Sequence, residues 1–378
     1  MAHYPVQRTH ESKFSQLNWL IITLVCFLGL IGIAMLYSAA GGDLSPWAGK
    51  QAIRFTAGFV MMIGVALFPQ RLLLKLSYLV FFGCLGLLLV VEFFGFIGMG
   101  AQRWVNLGFF NLQPSELMKL ALVLALARYY HGLLQEDMNR PAMLLFPLFL
   151  IGAPVALILL QPNLGTAFIV GTIGAIILFA TGLYWRYFIA VGVAALAAIP
   201  TGWHFLHDYQ KQRVLTFLNP EADPLGAGYN IMQSKIAIGS GGVFGKGFLH
   251  GSQSQLDFLP EKHTDFIFTM IAEEFGFAGA AIVIVVYMLL IVLALATAMR
   301  SRSHFGALIA VGISALLLLH IAINIGMVMG LLPVVGVPLP LLSYGGTMQL
   351  TMMIGFGLLL NSYVHRDSAL GKISLSSF

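Results

Sequence analysis

Ten stretches of this chain, most of them ~20 residues long, are nearly free of charge, and that pattern leaves few folds open. They fall roughly at 19–38, 51–68, 73–97, 114–131, 142–160, 164–182, 185–203, 266–298, 305–330 and 340–362. Each is long enough to cross a bilayer as a helix. The composition agrees: 59% of the residues are hydrophobic and 9% are Asp, Glu, Lys or Arg, against about 45–50% and about 25% in soluble domains. The expected fold class is an all-α polytopic membrane protein, one transmembrane domain over 1–378. The eighth run is too long for one straight span. Its first part should lie at the surface or in a cavity, with the Gly276–Gly279 region as a joint. QPNLG (161–165) makes a tight hairpin between the fifth and sixth runs.

The few charges set the orientation. Arg71, Lys75, Arg140, Arg186, Arg300 and Arg302 fall in segments of one side, whereas the short loops of the other hold only Lys50 and Arg103. Basic residues in short loops mark the cytoplasmic face, so both termini should lie inside. The polar first 18 residues lack a small-residue cleavage site and read as a cytosolic tail. The one long loop, about 204–265, is then extracytoplasmic. A net charge of +5 without a dense basic patch excludes a nucleic-acid partner. Cys26 and Cys84 have no CxxC spacing and announce neither a disulfide framework nor a metal site.

Candidate chemistry concentrates in that loop. It holds Lys211, Arg213, Lys235, Lys246 and Lys262, and five cations suit a phosphorylated or pyrophosphorylated ligand. Its glycine run, GSGGVFGKG (239–247), can offer backbone N–H groups to an anion or serve as a flexible connector. FLPEKHTDFIF (258–268) follows. Thr264 is a candidate cap of the next helix, with Asp265 in the first turn as a plain dipole-facing carboxylate. The functional alternative is a general base at the membrane boundary, with Asp257, Glu261 and His263 as rivals for the role.

Two more motifs lie at membrane depth. In QRWVNLGFFNLQPSELMKLA (102–121), Pro114 suits a first helical turn, and Glu116 and Lys119 share a face and can pair. Such a pair marks either a functional site or helix packing. Arg103 and Trp104 lie just outside, where the arginine can meet phosphate. Arg54 is the other cation inside a run. In LLPVVGVPLPLLSYGGT (331–347), three prolines forbid a regular helix, so the segment should line a cavity. Ser343 is a candidate substrate contact within it. His320 and Asn324, four apart, share a face, and a packing hydrogen bond is expected of them.

Together QRWVNLGFFNLQPSELMKLA, QPNLGTA, YNIMQSKIAIGSGGVFGKGF, LPEKHTDFIF and VVGVPLPLLSYGGT resemble the SEDS family (shape, elongation, division and sporulation) of peptidoglycan polymerases. They keep the family's order across most of residues 100–350. The last motif and the short tails are most similar to the elongation branch, with the division-specific branch as the alternative. The resemblance implies ten transmembrane helices in the bacterial cytoplasmic (inner) membrane. It implies glycosyltransferase activity on lipid II at a site facing the periplasm, in cell-wall elongation and rod-shape maintenance. The implied partners are a class B penicillin-binding protein, as transpeptidase, and the elongation machinery.

The resemblance also carries residue roles. The family's essential acid falls on Asp265, and its paired charges on Glu116 and Lys119. Asp257 keeps the charge of a position that is often Glu. Asn163 departs from the usual QPDLG, which removes a carboxylate from that hairpin. The implied reaction has Asp265 taking the proton of the acceptor's 4-hydroxyl as it attacks the donor's anomeric carbon. Substrate contacts are sought among Arg103, Glu116, Lys119, Arg213, Lys235, Lys246, Lys262, His263 and Ser343. No residue is assigned to a metal; a divalent cation such as Mg²⁺ or Mn²⁺ stays open as a cofactor of the leaving step. A lipid II flippase is the rival function. Charges gathered on one outer loop, rather than at the midplane or on both faces, favour outer-leaflet chemistry over transport.

Overall fold

The computed structural model describes residues 13–94, 96–98, 101–106, 108, 111–133, 140–205, 208–219, 227–256, 258–259, 261–368 and 370–371. Among them, ten helices of 17 to 34 residues stand where the apolar runs predict helices: α1 (Trp19–Ala39), α2 (Ala48–Leu67), α3 (Gln70–Phe94), α4 (Pro114–Gly132), α5 (Pro141–Leu160), α6 (Leu164–Ala180), α7 (Trp185–Phe205), α11 (Ile267–Arg300), α12 (His304–Val328) and α13 (Gly346–Val364). Six of these, α1, α2, α3, α5, α11 and α12, are long and apolar enough to cross a membrane. Large apolar side chains such as Leu30, Ile53, Leu79, Phe93 and Phe179 face outward, as a lipid-exposed surface requires.

Two boundaries differ from expectation. The third run was expected to 97, but α3 ends at Phe94 and Phe96–Gly98 becomes strand β1. It pairs antiparallel with β2 (Ala101–Asn106), which pairs with β3 (Asn111–Leu112). The last helix begins at Gly346, not near 340, because Pro338 and Pro340 hold the preceding segment irregular. The long loop is also less open than its composition suggests. It contains α8 (Asp208–Leu218), α9 (Ala227–Ser240) and the short α10 (Ser252–Gln255).

Helix ends show why these segments start and stop. Asn18 Oδ1 accepts from Ile21 N at 3.3 Å, and Ser303 Oγ from Gly306 N at 3.1 Å, so both act as N-caps. Pro114 and Pro141 open α4 and α5 at the first turn, where no N–H is missed. In the hairpin, Asn163 Oδ1 accepts from Thr166 N at 3.3 Å, so this amide caps α6. Asn361 of α13 lies across the end of α2, its Nδ2 3.0 Å from Val65 O and 2.6 Å from Phe68 O. That contact meets carbonyls which water cannot reach in a bilayer. At the centre, α4 is buried along nearly its whole length against α3, α6 and α12.

The joint expected near Gly276 is a true break: φ is +66° and ψ −164° there, inside α11. A break strands backbone groups, and here the glycine run takes them up. Lys246 N donates to Glu273 O (3.0 Å) and Gly247 N to Glu274 O (2.9 Å), while Phe277 N and Ala278 N donate to Gly242 O (2.9 Å) and Val243 O (3.0 Å). The run is therefore not a free connector: two of its amides and two of its carbonyls are spent on α11. The first part of α11, Ile267 to Glu274, is buried in protein rather than lying at the surface. A β-carbon on Gly276 would sit 2.3 Å from Gly245 N. Gly276→Ala should therefore lower the melting temperature in detergent sharply, because the left-handed backbone alone costs ~1–3 kcal/mol with a side chain present. Gly239→Ala, with nothing within 4 Å of its added β-carbon, should melt as the parent does.

Candidate active site

Residues 261–266 form a tight turn ahead of α11. Phe266 is the N-cap residue and has no side-chain capping bond. Thr264 does not cap α11 as expected; its hydroxyl donates to Glu261 Oε2 at 2.8 Å. Asp265 therefore lies one residue before the cap, outside the first turn. What fixes the turn is a row of donors on three successive carbonyls. Tyr344 N donates to His263 O (2.9 Å), Ser343 Oγ to Thr264 O (2.6 Å) and Asn324 Nδ2 to Asp265 O (2.9 Å). Ser343 Oγ also accepts from Leu339 N at 2.8 Å, so its hydroxyl is committed to holding backbone.

The carboxylate of Asp265 accepts no hydrogen bond from the described residues. Burial, and then the Glu261 charge, push its pKa up from 3.8 to about 6, with Arg213 pulling the other way. At pH 7 the group is mostly ionised yet more basic than a surface carboxylate. The backbone of Gly336, held at φ +70°, faces it; a β-carbon there would be 3.4 Å from Asp265 Oδ2. His263 stacks on Trp47 at 4.4 Å and 15°. Desolvation lowers its pKa, against the pull of Glu261 and with the push of Lys262, so the ring is neutral at pH 7. Lys262 is buried in the same turn. Asp257 lies outside the described residues.

A cavity of about 120 Å³ is lined by Arg103, Asn163, Gln210, Arg213, Pro333 and Val335 among others; Arg213 is also the cation whose charge acts on Asp265. The cavity matches the expectation that the proline segment borders one. It also joins two cations from distant parts of the chain, β2 and α8. Arg103 Nη2 donates to Pro162 O at 2.6 Å, which aims its guanidinium. The structure parts the other loop cations. Lys246 Nζ is 2.8 Å from Glu273 Oε1 and 2.8 Å from Ser252 Oγ, so its charge is neutralised by a fully buried acid. Lys235 is exposed on α9, with its stem against Gly330. Among the described residues no group of three or more His, Cys, Asp or Glu lies together as a metal site.

Glu116 and Lys119 pair at 2.8 Å, and the lysine side chain is 1% exposed. His320 Nε2 lies 2.9 Å from Lys119 Nζ, and its Nδ1 2.8 Å from Leu316 O. A carbonyl can only accept, so Nδ1 carries the ring proton and Nε2 accepts from the ammonium. Of the residues that matter here, His320 and Asn324 were visible as an apolar helix's polar pair, but not as bridges to other elements. Arg54 was visible as a cation inside an apolar run, but not its place 4.8 Å over the Tyr344 ring, and Trp47 beneath His263 carried no local signal.

The ion pair makes a sharp prediction. Glu116→Ala or Lys119→Ala alone leaves a buried charge uncompensated and should cost ~3–5 kcal/mol in stability. The double variant should cost clearly less than the sum, as read by a denaturation cycle in detergent micelles; additive losses would mean that the two do not interact.

Comparison with known proteins gives one consistent answer. Residues 16–368 match the cell cycle protein family of FtsW, RodA and SpoVE. The chain is 44% identical over 370 residues to the peptidoglycan glycosyltransferase MrdB of Escherichia coli K12, covering 97% of this chain and 98% of that one. It is 40% identical over 327 residues to MrdB of Helicobacter pylori 26695, covering 84% and 83%. Among solved structures it is similar to a chain of a peptidoglycan synthase complex that coordinates polymerization and crosslinking, with a TM-score of 0.80 at 32% identity, covering 93% and 98%. It is also similar to the rod shape determining protein RodA of Thermus thermophilus, with a TM-score of 0.71 at 29% identity over 93% and 98%. With its motifs in order, its helices in place and this match along almost its whole length, the chain belongs to the FtsW, RodA and SpoVE family, the SEDS proteins.

Proposed function

We infer that the chain is a peptidoglycan glycosyltransferase of the RodA type, polymerising lipid II into glycan strands at the outer face of the cytoplasmic membrane. The observation that carries the reading is Asp265: a half-buried carboxylate with no hydrogen-bond partner among the described residues, held through its own carbonyl and within electrostatic reach of Arg213, which lines a cavity together with Arg103. The names of the similar proteins support the reaction class and speak against the flippase alternative. Ten helices in register with ten apolar runs, and basic residues gathered on one side, support ten spans with both termini cytoplasmic. Similarity to a chain of a synthase complex supports a class B penicillin-binding protein as partner.

In the proposed step, the acceptor's 4-hydroxyl gives its proton to Asp265 as its oxygen bonds to the donor's anomeric carbon. The bond from that carbon to the pyrophosphate oxygen breaks, undecaprenyl pyrophosphate departs with the electron pair, and the anomeric centre inverts. The leaving group is already an anion, so no carboxylic acid is needed to protonate it, unlike in sugar hydrolases. What it needs is positive charge fixed in advance in a poorly solvated place. Arg103 and Arg213 meet that need, being brought to one cavity from separate elements. The step leans on these two cations, which come from β2 and α8. Lys246, expected among the substrate contacts, acts instead as the clamp on Glu273.

Asp265→Asn keeps the shape and removes the base, so it should abolish glycan synthesis from lipid II while leaving a monodisperse protein. With a folded-state pKa of about 6 against 3.8, ionisation of Asp265 opposes folding, and that penalty is absent below about pH 4 and complete above about pH 6. At pH 7 the asparagine variant should therefore melt no lower than the parent. The parent's kcat/KM should fall as pH drops through about 6, when the base takes up a proton. Undiminished polymerisation by Asp265→Asn would pass the role to Glu261, Asp257 or His263.

Arg213→Ala should raise KM for lipid II by ~10-fold or more, since a hydrogen bond to a charged group is worth ~1.5–3 kcal/mol. Lys246→Ala should instead lower the melting temperature and leave KM alone. A KM effect at Lys246 and none at Arg213 would reverse the assignment.

A further inference from the structure

The proposed base is held through its own backbone carbonyl, and the group that holds it comes from a helix outside the active-site turn. Asn324 is wholly buried on α12, one turn beyond His320. Its Nδ2 donates to Asp265 O at 2.9 Å and to Val337 O at 2.8 Å. Both amide hydrogens are thus used, while its Oδ1 has no hydrogen-bond partner. The two donations are therefore the whole polar contribution of this side chain. They tie together the segments on either side of the carboxylate, because Val337 follows Gly336, whose backbone faces Asp265 Oδ2.

We propose that Asn324 is a positioning residue for the transfer step: by bridging the carbonyls of Asp265 and Val337 it fixes the gap between the Asp265 carboxylate and the Gly336 backbone. This rests on the reading of Asp265 as the base. Three donors secure the turn, but they do not share one task. Tyr344 and Ser343 hold the carbonyls of His263 and Thr264. Loss of Asn324 leaves those two in place and frees the one carbonyl that belongs to the base. The consequence should appear in turnover before it appears in folding. The charges that face the carboxylate, Glu261 on its own turn and Arg213 on α8, stay where they are.

The test uses the full-length protein in detergent with lipid II as substrate, and compares the parent, Asn324→Leu, Asn324→Ala, Asn324→Gln and Asp265→Asn. Leucine keeps the branched shape and removes both donors; glutamine keeps the donors on a longer stem. The expected result is folded Asn324→Leu or Asn324→Ala with kcat down by ~10-fold or more and KM within about 2-fold, since a misplacement of about 1 Å can cost about 100-fold in rate. Asn324→Gln should recover part of the turnover, and the acid limb of the pH profile should move in the leucine variant. Folded Asn324→Leu with the parent's kcat and pH profile would overturn the proposal. So would the loss of folded protein in both the leucine and alanine variants, which would make Asn324 a packing residue. Asp265→Asn separates the two ideas. If it is inactive while Asn324→Leu is normal, only the positioning role falls; if it polymerises, the base assignment falls and the positioning role with it.

Discussion

The turn that carries Asp265 depends on donors from elsewhere in the chain to satisfy its backbone. Residues 261–266 and 331–345 are both non-helical, so neither has a helix ladder to meet its carbonyls and amides. The hydrogen bonds from Tyr344 N, Ser343 Oγ and Asn324 Nδ2 to three successive carbonyls answer that problem. Backbone satisfaction and the placing of the proposed base thus have one cause. The donors that make the turn tolerable also leave its carboxylate nowhere to wander, and leave it without a partner of its own.

The same economy governs the break in α11. A left-handed Gly276 frees carbonyls and amides, and residues 242–247 take them up in pairs. Lys246 adds a charge to that dock by meeting Glu273, an acid with no exposed surface. Removing the lysine would leave that buried carboxylate without its counter-charge, so Lys246 is bound to structure whatever its position in a cationic loop. The α4 pair follows the same rule, with His320 accepting from the ammonium that Glu116 balances.

Much of the architecture was legible in the chain because span length and backbone satisfaction leave little freedom. The apolar runs, the Gly276 joint, Pro114 at a helix start and the shared face of Glu116 and Lys119 are all local properties. What escaped depends on partners distant in sequence. The cap expected of Thr264 fails because Glu261 Oε2 takes its hydroxyl. The glycines of 239–247 suggest an anion site, but nothing in the run shows that a broken helix will claim its amides. Lys246 and Arg213 look alike as cations of one loop. Only the fold separates the one beside a buried acid from the one beside a cavity. The short sheet of β1, β2 and β3 escaped because its strands are of 3, 6 and 2 residues, too brief to show alternation.

Burial gives Asp265 its chemical character, and the degree of burial is a compromise. A surface aspartate near its ordinary 3.8 is always ionised at pH 7 but is a feeble acceptor for a sugar hydroxyl proton. A fully sequestered one would be a stronger base that is never ionised. At about 6 the group remains mostly charged while its affinity for a proton has risen greatly. Two opposed neighbours set that balance: Glu261 pushes the value up, and Arg213 holds it down. Arg213 also lines the cavity that Arg103 borders, so the cation that favours the ionised carboxylate belongs to the same basic wall.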